Sequence, residues 1–347
     1  MATQTTVLTP LVKSQKKHLG ILDGLRGFAA LSVVLFHFTG GVSVGGALPK
    51  LPNQLLETSF SWGYMGVEVF FVISGFVIPY SLWNTDYSVL KILPYLRKRI
   101  LRICPPAYLS LILLIAQWFF IDYVLHHSNE RLGSVTAKQI LDNITFLAPF
   151  TGSSWLNGVF WTLAIEFQYY LVIGLLYRLL FCSNTIIFFV LSLLLDGVQY
   201  LPYLPNDNLF KFSLFFALGG ATLLLHQQRI TKIVFLLLIV VFTALLVYHF
   251  GLWLALFGGA TALAIAFVKV KHHALRWLGQ ISYSLYLTHF MAGAMAEFIL
   301  VKILHPSSPG MISFAIAGCV LFAIAFAYGF YRLVELPFHK LAQRLVA

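Results

Sequence analysis

The sequence predicts an all-α, polytopic membrane protein of about ten transmembrane helices, with both termini in the cytoplasm. Composition is the first reason. Of 347 residues, 59% are hydrophobic and only 10% charged, where a soluble domain carries about a quarter. One soluble core of this size cannot cover so much apolar surface, so a bilayer is the expected solvent. The second reason is a series of apolar stretches near the ~20 residues that a membrane helix needs. They fall at 21–40, 62–82, 103–124, 160–180, 184–201, 209–226, 233–250, 252–268, 281–304 and 310–332. The pair 184–201 and 209–226 is divided by Leu201-Pro-Tyr-Leu-Pro-Asn-Asp207. The third reason is charge sidedness. Seventeen of the 23 Lys and Arg fall on the side of the N-terminus and five on the other, with Arg26 inside the first span. Cytoplasmic loops collect such residues.

The net charge of +11 is therefore expected on loops, and no nucleic-acid partner is implied. Cys104, Cys182 and Cys319 are far apart and odd in number, so no disulfide framework is expected. No metal-ligand cluster and no phosphate-binding Gly-Lys loop is visible. Lys13, Lys16 and Lys17 before an apolar run resemble a signal peptide, but Asp23 and Arg26 interrupt the run and no small-residue cleavage site follows. The expected organisation is a cytoplasmic tail over 1–20, a transmembrane domain over 21–340 and a tail over 341–347. The polar loop near 125–158 is expected outside, with a short helix near Thr136–Leu147 and a glycosylation match at Asn143-Ile-Thr145.

Ionisable groups inside membrane spans are costly and mark function or pairing. In the first span, Arg26 and His37 are eleven positions apart. They share one helix face about 16 Å apart along the axis, like two ends of a ligand channel. Head-group anchoring by Arg26 and end-capping by His37 is the alternative. Asp23, three residues before Arg26, can pair with it. Glu68 in the second span is expected at a depth like that of His37, where it can orient an imidazolium or face an external vestibule. Ser74-Gly75 lies deeper, where glycine permits close approach. Arg99 and Arg102 share a face before Pro105-Pro106 and suit either a phosphate or anionic lipid. Glu166 and Tyr170 share a face in the fourth span, beside Gln168 and Trp161, and Glu166 is expected inside the bundle. Ser282, Tyr286 and His289 form a polar stripe, read as substrate-lining or helix-packing rather than catalytic. Arg332 and Glu335 are expected to pair at the cytoplasmic surface. His126, His127, His226, His272, His273, His305 and His339 are read as solvated.

Taken in order, these segments resemble the acyltransferase-3 family of membrane O-acyltransferases. That family carries an Arg or Lys separated by ten residues from a His in its first helix, here Arg26 and His37. The resemblance runs on through Phe70-Phe-Val-Ile-Ser-Gly-Phe76, Arg99-Ile-Leu-Arg102, Trp161-Thr-Leu-Ala-Ile-Glu166, Ile281-Ser-Tyr-Ser-Leu-Tyr-Leu-Thr-His289 and Glu335-Leu-Pro337. Glu68 stands where an Asp is common, and Phe167 where a second acid is common. The resemblance implies an acyl-CoA co-substrate, with acetyl-CoA the favoured donor and no permanently bound cofactor. It also implies a hydroxyl acceptor on a saccharide or cell-surface glycan, and residence in a bacterial inner membrane. On this reading His37 is the catalytic base, with Glu68 or Glu166 as its partner. Arg26, Arg99, Arg102 and Ser74 bind acyl-CoA, and Trp161, Tyr170, Ser282, Tyr286 and His289 line the substrate. The competing expectations are a transporter or flippase, and a scaffold without chemistry.

Overall fold

The computed structural model describes residues 20–41, 54–124, 130–269 and 272–344. Among them there is no strand. The helices are α1 (Gly20–Phe36), α2 (Gln54–Phe60), α3 (Gly66–Trp83), α4 (Ile92–Phe119), α5 (Glu130–Gly133), α6 (Ala137–Ile144), α7 (Ala148–Thr151) and α8 (Phe160–Tyr177). They continue with α9 (Thr185–Gly197), α10 (Leu209–His226), α11 (Lys232–Phe250), α12 (Leu252–Phe267), α13 (His273–Leu304), α14 (Pro309–Phe330) and α15 (Leu336–Arg344). Each apolar stretch of the sequence coincides with one of them. Eight helical stretches among the described residues are long and apolar enough to cross a membrane. The other two, Thr185–Tyr200 and Leu252–Phe267, are shorter. The 16 residues of α12 rise roughly 24 Å, less than the ~30 Å hydrocarbon core. The Lys residues at 13, 16 and 17 and both chain ends lie outside the described residues.

Burial sorts the helices into centre and rim. The stretch containing α3 and that of α10 are each 78% buried within the protein, against 28% for α11 and for the stretch beginning with α14. Leu237, Val240 and Tyr248 of α11 and Phe314 and Leu321 of α14 are correspondingly exposed, the lipid-facing pattern for such residues. At the centre α3 packs on α1 and α10, and α1 packs on α13. The α3–α10 crossing is close because glycines face backbone. A Cβ on Gly219 would lie 2.0 Å from the Val72 carbonyl oxygen, and one on Gly75 2.1 Å from that of Phe216. Gln168 Oε1 accepts from the Leu209 amide at 2.8 Å, so this intramembrane amide steadies the start of α10. His249 Nε2 and Asp196 Oδ2, 3.2 Å apart, tie α11 to α9. His226, at the end of α10, is exposed as expected, and one edge of its ring packs on Phe76 and Tyr80 at 5.6 and 5.8 Å.

The loop between α4 and α8 folds around buried polar groups. Thr136 caps α6 by accepting from the Gln139 amide. Asp142 accepts from Lys138 Nζ at 2.7 Å, from the Thr151 hydroxyl at 2.8 Å and from the Ser153 hydroxyl. These donors hold its carboxyl down at about 2. Asn143 is 0% exposed. Its amide donates to the Gln139 and Ser154 carbonyls and its oxygen accepts from the Leu156 amide. In the folded loop this asparagine is thus buried with its side-chain amide fully engaged, although the motif matches. Asn157 Nδ2 then reaches the Leu287 carbonyl at 3.1 Å, pinning the loop to the middle of α13.

Two outcomes follow from this packing. Gly219→Val should lower stability by about 1–3 kcal/mol through overpacking, read as a fall in the thermal midpoint in detergent. Gly310→Ala, with open space at its Cβ, should change it by less than about 0.5 kcal/mol. For Asp142, the depressed folded-state pKa means stability that is present above the unfolded value of about 3.9 and lost as pH falls toward 2. Hydrogen-exchange protection of the Leu156 amide, corrected for intrinsic rate, should decline across that window and lose this dependence in Asp142→Asn.

Candidate active site

Eight of the twelve residues singled out in the sequence meet at one cavity of about 250 Å³. Its walls are α1, α3, α4, α8 and α13. Its floor is the turn 331–335 with α15, which packs under α4. The two ends differ in chemistry. At one end stand Arg26 from α1, Arg99 and Arg102 from α4, Asp23, Glu335 and His339. At the other stand Val67, Phe70 and Phe71 from α3, Thr162 and Leu163 from the first turn of α8, and Tyr286.

Arg99 is the most fixed of the cations, only 8% exposed. Its Nη2 donates to the Ser81 hydroxyl at 2.5 Å. Its guanidinium lies 5.7 Å from the Tyr95 ring centroid and 5.3 Å from that of Tyr170, where cation–π attraction replaces part of its lost hydration. Tyr170 in turn donates its hydroxyl to Glu166. The polarity is thus a chain: carboxylate, phenol, guanidinium, hydroxyl. Glu335 accepts from both the hydroxyl and the amide of Ser284, at 2.6 and 3.2 Å. It turns into the cavity rather than serving only as a surface partner for Arg332. His339, expected in solvent, also lines the cavity. Tyr283 lines it too and anchors α13 to α4 by donating to the Ile103 carbonyl at 2.8 Å.

Arg26, Ser74, Arg99, Arg102, Glu166, Tyr170, Ser282 and Tyr286 all line the cavity. Ser282 donates to the carbonyl of Gly279 within its own helix. Four other candidates do not line it. Trp161 packs against Phe71 and Phe212 at 6.3 and 5.8 Å. Glu68 is 5% exposed, and its Oε2 has no hydrogen-bond partner among the described residues. It sits within electrostatic reach of Tyr286.

His37 and His289 form the remaining pair. Their rings stack with centroids 5.3 Å apart and planes 25° apart, and Phe290 lies 4.5 Å from each. The Tyr286 ring is 6.0 Å from that of His289, and its hydroxyl and that of Thr162 hydrogen-bond at 3.1 Å. Tyr286 therefore both lines the cavity and neighbours the ring of His289. His37 Nδ1 and His289 Nε2 have no hydrogen-bond partner among the described residues. Leaving a buried polar atom so costs about 1–3 kcal/mol each, a cost that packing alone does not explain.

The arrangement offers an end rich in charged side chains, an apolar end and two stacked imidazoles outside the cavity. Comparison with known proteins gives the same picture a family. Residues 19–330 match the acyltransferase domain family. The O-acetyltransferase OatA of Staphylococcus aureus is 28% identical over 207 residues, covering 55% of this chain and 31% of that protein. The peptidoglycan O-acetyltransferase OatA of Listeria monocytogenes is 25% identical over 169 residues, covering 45% of this chain and 24% of that protein. The matched stretches thus span a third or less of these relatives' own length. No solved structure matches the chain. With a family match over nearly all its length and apolar helices throughout, this chain is an integral, multi-pass membrane protein that belongs to the acyltransferase domain family.

Proposed function

We propose that the protein is a membrane O-acyltransferase that moves an acetyl group from acetyl-CoA to a hydroxyl of a saccharide. The observation that carries this reading is the polarity of the cavity: three guanidinium groups at one end and an apolar end closed by Tyr286 at the other. Coenzyme A has that polarity, with phosphates at one end and a thioester at the tip of a long arm. Arg99 and Arg102 suit its phosphates, since forked guanidinium groups match phosphate oxygens. With the N-terminus cytoplasmic, as charge sidedness predicts, the arginine end faces the compartment that holds acyl-CoA. The acetyl group is preferred because the relatives are named O-acetyltransferases.

An alcohol is a poor nucleophile near neutral pH, and a positioned base is typically worth 10²–10⁴-fold. In this mechanism His37 takes the proton of the acceptor hydroxyl as its oxygen bonds to the thioester carbon. The C–S bond then breaks, and the proton passes to the departing thiolate to give free CoA. An acyl-imidazole on His37 is the alternative route, with the same products. Either route requires the acyl carbon and the acceptor hydroxyl to reach His37, which does not itself line the cavity. The acceptor is expected from the opposite face of the membrane, toward which His37 and the α4–α8 loop lie on the same topology.

The test is transfer of label from radioactive acetyl-CoA to peptidoglycan glycan by the purified protein in nanodiscs. His37→Ala should lower turnover at least ~100-fold in folded protein, whereas near-normal turnover removes the proposed base. Arg99→Ala should weaken acetyl-CoA binding about 10-fold or more, as loss of a charge-assisted contact does, with a smaller effect on the saturated rate. A label that crosses the bilayer without entering glycan would favour a transporter instead.

A further inference from the structure

His289 carries a lone pair with no use in the proposed chemistry. Its Nδ1 lies 2.9 Å from the Tyr286 carbonyl oxygen and 3.2 Å from that of Leu285. Carbonyl oxygens only accept, so Nδ1 carries the hydrogen and the neutral ring presents Nε2 as an acceptor. That nitrogen is partnerless among the described residues, and the residue is 0% exposed. The surroundings do not call for an imidazole. Phe290, Phe38 and Tyr286 rings lie 4.5, 6.5 and 6.0 Å away, and a phenylalanine would fill such a site without a stranded acceptor. A polar neighbour with the same property is His37, whose Nδ1 also lacks a partner among the described residues. The two rings stack at 5.3 Å.

We infer that His289 is an acceptor-binding residue, which takes a hydrogen bond on Nε2 from a second O–H or N–H beside the hydroxyl being acetylated. This rests on the acyltransferase reading above. The stacked rings, with centroids 5.3 Å apart, carry two partnerless nitrogens among the described residues, and with His37 in the basic form that the proposed chemistry needs both accept. A ligand with one hydroxyl satisfies one of them. A sugar, which bears hydroxyl or acetamido groups on neighbouring carbons, satisfies both. The site then selects donor-rich saccharides over simple alcohols, since a ligand lacking the second donor leaves Nε2 buried and unpaired. No bond to His289 forms or breaks. The proton of the attacking hydroxyl goes to His37, and the neighbouring group only donates a hydrogen bond. The fixed Nδ1–H keeps the ring in the orientation that the second donor needs.

The experiment uses the full chain in nanodiscs and the peptidoglycan disaccharide N-acetylglucosaminyl-N-acetylmuramic acid as probe. His289→Phe should raise KM for the disaccharide at least tenfold and change kcat less than threefold. His289→Gln, whose amide oxygen can take the place of Nε2, should return KM to within threefold of the parent. Equal losses in both variants, or a KM unchanged in His289→Phe, overturn the inference. Nitrogen NMR of histidine-labelled protein gives a readout that needs neither variant folding nor turnover. The lone-pair resonance of His289 should shift upfield on addition of the disaccharide and stay in place with ethanol. A resonance unmoved by the disaccharide overturns the inference. Absence of transfer by the parent protein overturns the acyltransferase reading instead, and leaves the NMR result to judge His289 as a binding residue.

Discussion

Guanidinium groups cannot sit bare inside a helix bundle that faces lipid, and most of the arrangement around the cavity answers that constraint. Arg99 is 8% exposed, yet it has a hydroxyl donor-acceptor in Ser81 and two tyrosine faces beside it. Tyr170 is aligned by Glu166, and Asp23 and Glu335 bring further carboxylates to the same end of the cavity as Arg26 and Arg102. These groups come from α1 (Asp23, Arg26), α3 (Ser81), α4 (Arg99, Arg102), α8 (Glu166, Tyr170) and the turn 331–335, whose Glu335 bonds Ser284 of α13. The charge cluster therefore fixes how α1, α3, α4, α8 and α13 stand toward one another.

Close helix packing makes the rest possible. Glycine at 75 and 219 brings α3 and α10 to backbone contact, so α3 is buried on the side away from the cavity and turns Val67, Phe70, Phe71 and Ser74 toward it. On the other flank α1 and α13 run alongside each other from Asp23 and Gly279 up to His37 and His289. The same contact that closes the cationic end thus delivers the two imidazoles beyond the apolar end. Tyr286 stands at the junction, touching the cavity, Thr162 and the ring of His289.

Much of this was legible before any coordinates. Apolar runs located the helices because lipid imposes length and composition directly. Helical periodicity correctly grouped Arg99 with Arg102 and Glu166 with Tyr170, since neighbours at three and four positions share a face. Periodicity says nothing of which faces meet. That is why Glu335 and His339 were read as surface groups: only the return of α15 beneath α4 brings them to the cavity. It is also why His37 was expected to share one open slot with Arg26. Arg26 lines the cavity, whereas His37, in the turn after α1, stacks on His289 outside it. The stripe Ser282, Tyr286 and His289 likewise splits between two compartments, with Ser282 and Tyr286 at the cavity and His289 against His37. In α6 the polar Asn143 looked like a surface acceptor site, whereas its amide is consumed by three backbone groups.

The central claim is that one ligand spans the cavity with its charged end at the arginines and its reacting end at Tyr286. Electron cryomicroscopy of the protein in nanodiscs with acetyl-CoA tests this directly. The account predicts phosphate density within hydrogen-bonding distance, about 3 Å, of Arg99 or Arg102. It also predicts the thioester beside the hydrogen-bonded pair of Thr162 and Tyr286, on the side of His37. A nucleotide bound elsewhere, or a thioester lying at the arginine end, would contradict it.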